Sequence, residues 1–103
     1  MTRNVRVEEH VVLDYPKEGE IITSPHYTLR FGATDEAQMV EVSIDGGPWQ
    51  ECRKAGGHFW FDWAHYMSGR HVIAARAWLF ADQIEETDPR HVVVDLEQKA
   101  KNH

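Results

Sequence analysis

The residues of this chain that could do chemistry are seven histidines, one cysteine, a serine between two acids, an acidic run and four tryptophans. The histidines are His10, His26, His58, His65, His71, His91 and His103. A metal site built on strands needs histidines at i and i+2, or on adjacent strands of one face. No His-x-His pair and no Cys-x-x-Cys occurs. The histidines therefore read as scattered surface and packing residues, with His71 turned inward, and neither a metal nor a cofactor is expected.

Nucleophilic catalysis needs a Ser or Cys activated by a neighbouring base. Ser43 lies mid-strand between Glu41 and Asp45, where an ordinary cross-strand hydrogen bond accounts for it. Cys52 precedes Arg53 and Lys54, and positive charge lowers a thiol pKa. Successive strand side chains point to opposite faces, however, so Arg53 does not share the side of Cys52, and the thiol reads as inert. Glu85, Glu86 and Asp88 sit in a loop and read as solvating charge. Gly46-Gly47 and Gly56-Gly57 are turn glycines; neither pair follows a strand and opens a helix as a phosphate cradle must. The expectation is a protein that is not an enzyme.

The tryptophans offer binding instead. Trp60 and Trp78 are predicted to point outward and Trp49 to sit at a hairpin end. Flat exposed aromatics stack on sugar rings, so Trp49, Trp60 and Trp78 are candidate sugar-stacking residues and carbohydrate binding is the alternative function. Long Arg and Lys stems covering the rings are the plainer explanation.

Composition narrows the partners. The chain has 11 Lys and Arg against 17 Asp and Glu, a formal charge of −6, with 42% hydrophobic and 11% aromatic residues. That is ample for a packed core. No cluster of positive charge marks a phosphate-binding surface, so nucleic acid is not expected. No apolar run approaches the roughly 20 residues of a membrane span. The first residues lack the apolar core of a signal peptide. A single cysteine fits a reducing compartment, so a cytoplasmic location is expected.

The elements that position these residues are strands. Val40-Glu41-Val42-Ser43-Ile44 alternates apolar and polar residues, Asp45-Gly46-Gly47-Pro48 turns, and Trp49 restarts the chain, the strongest hairpin signal present. Val40, Val42 and Ile44 are predicted inward, Met39, Glu41 and Ser43 outward, with a return arm over Trp49–Arg53. Val5–Tyr15, Ile21–Thr23 and His26–Thr34 precede the hairpin. His58–Trp63, Arg70–Phe80 and Arg90–Leu96 follow it. In Arg70–Phe80 the set His71, Ile73, Ala75, Ala77 and Leu79 is assigned to the core, because the other face carries Arg76. Ala81–Pro89 reads as an acidic turn. These predict one all-β domain over residues 1–103, a Greek-key β-sandwich of about seven strands, its core about 5–96 and a polar tail at 97–103.

The hairpin residues 40–49, with Trp60-Phe61-Asp62-Trp63, Gly69 and Ala75-Arg76-Ala77 after them, carry a family likeness over roughly residues 38–95. They resemble early-set immunoglobulin-like domains, in particular the C-terminal dimerisation domain of sulfite-oxidase-type molybdenum enzymes, and bacterial immunoglobulin-like modules. The resemblance implies the sandwich fold and a habit of pairing with another domain. None of the enzymes' catalytic residues carries over, since Cys52 sits in a hairpin arm.

Within such a sandwich the strands holding Met39–Ser43, Arg70–Phe80 and Arg90–Leu96 are adjacent. Their outer face then collects Met39, Val72, Ala74, Trp78, His91 and Val93 into an apolar patch, with Glu41, Arg76 and Asp95 as its charged rim, or with Glu41 and Arg76 as a cross-strand pair. Such patches mark partner surfaces. The expected function is a non-catalytic interaction or accessory module that binds protein, a second copy of itself or another partner.

Overall fold

Period-two alternation decides where the strands lie and which faces they bury. In His26–Ala33 the fully buried positions are Leu29 and Phe31, with Thr28 and Arg30 on the other side. Each such burial stabilises the fold by roughly 1.5–3 kcal/mol. The computed structural model describes residues 9–97. It contains β1 Val11–Tyr15, β2 Ile21–Ile22, β3 His26–Ala33, β4 Met39–Ile44, β5 Gln50–Glu51, β6 Arg53–Ala55, β7 His58–Ala64, β8 Gly69–Trp78, β9 Ile84–Glu86 and β10 Arg90–Val94. Of the first predicted strand, Val5–Glu8 lie outside the described residues, as does the tail from residue 98 onward.

One sheet has the order β1-β3-β7-β6; the other runs β2-β10-β8-β4-β5, with β9 added beside β8. The chain crosses from β3 to β4, returns as β7 beside β3, and crosses again to β8 beside β4, the Greek-key path expected of a sandwich. Two tight turns set its hairpins. Asp45 and Gly46 have φ of 55° and 74°, and Gly56 and Gly57 have φ of 58° and 82°. That pair of left-handed residues matches the twist of flanking strands, which is why Asp-Gly and Gly-Gly occupy them.

Between the sheets lie Val11, Leu13, Ile22, Leu29, Phe31, Val40, Val42, Phe59, Trp63, Ile73, Ala75, Ala77, Val92 and Val94, all buried. The inward faces predicted for β4 and β8 are those observed. Ser43 is the exception. It was expected outward but is 7% exposed, because its Oγ donates to the Gly47 carbonyl at 2.8 Å and the chain returning toward Trp49 lies over it.

Three further departures come from long-range pairing. The chain from Val11 to Ile22 changes sheets at Pro16–Gly19, so that β1 pairs with β3 while β2 runs parallel to β10. The predicted return arm is divided: β5 pairs with β4, Cys52 passes between the sheets, and β6 pairs with β7. The predicted acidic turn contains a strand, β9, which satisfies the free edge of β8 at Arg76–Trp78. Glu85 of β9 also reaches across to the other sheet, accepting the His10 backbone N–H at 2.7 Å and facing its Nδ1 at 2.7 Å. Burial pushes the Glu85 carboxyl up, but the His10 hydrogen bonds and charge outweigh it and hold it below the ordinary value.

Candidate functional site: two outer faces

The strand register brings every residue of the predicted partner surface onto the outer face of the six-stranded sheet. Met39 pairs with Trp78 and Glu41 with Arg76 across β4 and β8, Ala74 lies opposite Ser43, and His91 lies opposite Val72 across β8 and β10. Val93 follows on β10, opposite Arg70, and pairs on its other side with Ile21. His91 is held from the β1–β2 turn: Glu18 accepts its backbone N–H at 2.9 Å and faces its Nδ1 at 3.0 Å.

Glu41 and Arg76 do not rim this face; they divide it. Arg76 Nε donates to Glu41 Oε1 at 2.8 Å, and Trp78 Nε1 donates to the same oxygen at 2.7 Å. The Arg76 guanidinium carbon lies 4.2 Å from the Trp49 ring centroid and 5.4 Å from that of Trp78, so both rings carry the cation on their π-faces. The Trp78 N–H, ahead of Arg76, holds the Glu41 carboxyl below its usual range against the opposing effect of burial. On either side of this clamp lies an apolar lobe. One is Ile21, Val72 and Val93, at 57%, 37% and 37% exposure, beside a groove of ≈ 340 Å³. The other is the row Met39–Trp78–Ile84 across three strands. Ile21 and Ile84 escape a sequence reading: one sits in a two-residue strand, the other in a segment that reads as an acidic turn.

The four-stranded sheet separates Trp60 from the other two candidate sugar-stacking residues. Tyr15 pairs with Arg30 across β1 and β3, Arg30 with Trp60 across β3 and β7, and Trp60 with Arg53 across β7 and β6. One row therefore crosses the sheet as Tyr15–Arg30–Trp60–Arg53. Trp60 Nε1 donates to the Ala55 carbonyl at 2.9 Å, which draws the indole down over β6. Arg30 Nε reaches Asp14 at 3.3 Å and Arg53 reaches Asp62 at 3.3 Å.

Cys52 is buried where the chain passes between sheets, and its N–H bonds to the Val40 carbonyl. Burial, then the nearby charges of Glu41 and Glu51, push its thiol up to about 12, the opposite of what an attacking thiolate needs. His71 lies on the inward face as predicted but is only half-buried, edge-on to Trp63 at 5.3 Å. Its Nδ1 lies 2.6 Å from Asp45 Oδ2 and its Nε2 2.7 Å from the Met67 carbonyl. Both partners only accept, so the doubly protonated ring fits best. Burial opposes the charge, but Met67 and Asp45 prevail and raise the His71 pKa above 6.5. No set of three His, Cys, Asp or Glu side chains among the described residues is arranged to hold a metal. Among the described residues no helix is long and apolar enough to cross a membrane.

No protein-family model and no curated protein sequence matches the chain. Solved structures do. The fibronectin(III)-like modules of Clostridium thermocellum CbhA superpose with a TM-score of 0.70 at 17% identity, over 84% of this chain and 96% of theirs. The fold is an immunoglobulin-like β-sandwich. A crystal structure of an engineered protein also matches, with a TM-score of 0.70 at 19% identity over 92% of this chain and 22% of that one. At these identities the immunoglobulin-like domain shares a fold with them, and fold alone carries no function. The narrower likeness to molybdenum-enzyme dimerisation domains rests on the hairpin and its following motifs.

Proposed function

We propose that this immunoglobulin-like domain is a non-catalytic interaction module that associates through the outer face of its six-stranded sheet, with a second copy of itself as partner. The observation that carries this reading is the placement of Ile21, Val72, Val93 and Ile84, each between 37% and 57% exposed, on one sheet face. Left in water, such side chains forgo burial worth roughly 25 cal/mol per Å². Charged groups, among them Glu51, Glu86 and Arg70, stand on strands of the same sheet. Apolar lobes within a charged margin suit an association surface. The Glu41–Arg76 clamp neutralises the middle of the face, so a partner meets no unpaired charge there. A reducing, cytoplasmic setting accords with the lone thiol.

The test is the solution mass by light scattering of the chain and of Val72→Lys. Val72 suits the purpose because it is exposed and makes no side-chain bond, whereas Trp78 belongs to the clamp. A dimer split into folded monomers by the lysine upholds the reading. A wild type that stays monomeric at millimolar concentration removes self-association.

A further inference from the structure

The four-stranded sheet carries a second, separate feature. Its row Tyr15–Arg30–Trp60–Arg53 alternates aromatic and guanidinium groups across all four strands. Sequence separates these residues by up to 45 positions, so no local motif announces them. Each arginine is joined to one carboxylate by one long contact, 3.3 Å in both cases, through Nε for Arg30 and a terminal nitrogen for Arg53. A guanidinium has five N–H donors, so each arginine keeps donors beyond its one carboxylate contact; Arg53 is 57% exposed, while Arg30, at 34%, lies over the Tyr15 ring at 4.8 Å. Asp62 accepts the Thr28 hydroxyl at 3.0 Å with the same oxygen that meets Arg53, so its other oxygen is available to a ligand. Beside the row, Gly32 leaves a recess of ≈ 280 Å³ lined by Val12, Asp14 and Thr34.

We infer that this face binds a neutral glycan chain, one pyranose ring stacked on Trp60 and its neighbours' hydroxyls held by the Arg53–Asp62 and Arg30–Asp14 pairs. The apolar C–H face of a pyranose suits the face of an indole, and Trp60 is fixed in place by its bond to Ala55. Vicinal sugar hydroxyls each donate and accept. A donor-only guanidinium next to an acceptor-only carboxylate satisfies both roles. Such a doublet stands on each side of Trp60, with the two arginines on strands two apart, roughly 10 Å, or about the length of a disaccharide. Charge decides against the other ring-bearing polymer. Two arginines are matched by two aspartates, so the row lacks the surplus positive charge that a phosphodiester backbone requires. The face is also distinct from the proposed association surface, because it lies on the opposite sheet.

The test is a two-dimensional amide NMR titration of the intact chain with cellohexaose, xylohexaose and mannohexaose, and with the oligonucleotide dT10. The expected result is a shift of the Trp60 indole N–H and of amides in β3, β6 and β7 with at least one hexasaccharide, and none with dT10. Arg53→Ala, which removes an exposed side chain, then weakens binding about tenfold, the usual size for a bond from a charged group. Trp60→Ala abolishes it. If Trp60→Ala does not fold, Arg53→Ala alone decides. Silence toward all three hexasaccharides at about 10 mM, where even a millimolar complex is mostly formed, overturns the inference. So do shifts centred on Trp49 and Trp78, or a dT10 response on the same row. Val72→Lys leaves the titration unchanged, so self-association and glycan binding fail or stand separately.

Discussion

Arg76 on the six-stranded sheet and Arg53 on the four-stranded sheet both lie beside a tryptophan and both reach a carboxylate. Their surroundings differ. Arg76 and Glu41 side chains are 24% and 16% exposed and meet at 2.8 Å, with two indole rings over the cation. Arg53 and Asp62 are 57% and 67% exposed and meet at 3.3 Å. Water weakens an ion pair by screening it and by competing for its hydrogen bonds. The same residue types thus form a structural clamp where rings exclude water and an open, adaptable contact where they do not. A tryptophan next to an arginine is a lock on one face and a candidate platform on the other.

The largest effect expected from breaking this contrast is at Glu41. Glu41→Ala strands both the Arg76 guanidinium and the Trp78 N–H in a half-buried site, and should cost about 2 kcal/mol in a urea unfolding experiment. A loss below about 0.5 kcal/mol would show that the clamp does not hold the sheet. A smaller, pH-dependent effect belongs to the His71 latch. A raised folded pKa means that its stabilisation is fully present below the unfolded value near 6.5 and is lost as pH rises through the folded one. Wild type should therefore lose more stability than His71→Phe between about pH 6 and pH 9, and equal losses would refute the latch. Among the described residues the charged group paired with the ring is Asp45, and its other partners are Trp63, Tyr66 and the Met67 carbonyl. The smallest effect is at Asp62. Asp62→Ala should change stability by no more than about 0.5 kcal/mol, as exposed pairs do, and a cost like that of Glu41→Ala would erase the distinction between the faces.

Much of the scaffold was legible because strand patterning is local. Leu29 and Phe31, Val40 and Val42, Ile73, Ala75 and Ala77 each alternate with polar or small residues, and the inward set follows from that alone. Outer-face membership was legible for the same reason, while the adjacency of Met39, Trp78, Val72 and His91 followed from the sandwich that the resemblance implied. Ser43 misled because its neighbour in space is the Gly47 carbonyl of its own turn, which buries a residue the alternation turns outward. β9 was hidden because Ile84-Glu85-Glu86 has little strand character of its own; β8 supplies its edge and His10 its anchor.

The sequence by itself determined an all-β sandwich, its inward faces and its tight turns, because side-chain alternation and left-handed turn residues act over a few positions. Tertiary structure alone decided which arginine is enclosed and which is open. It also decided that Trp60 stands apart from Trp49 and Trp78, and that the chain changes sheets at Pro16–Gly19 and at Cys52. Those outcomes depend on which strand lies alongside which, and residues 34 or 35 positions apart, such as Thr28 and Asp62 or Glu41 and Arg76, become neighbours only when the sheets assemble.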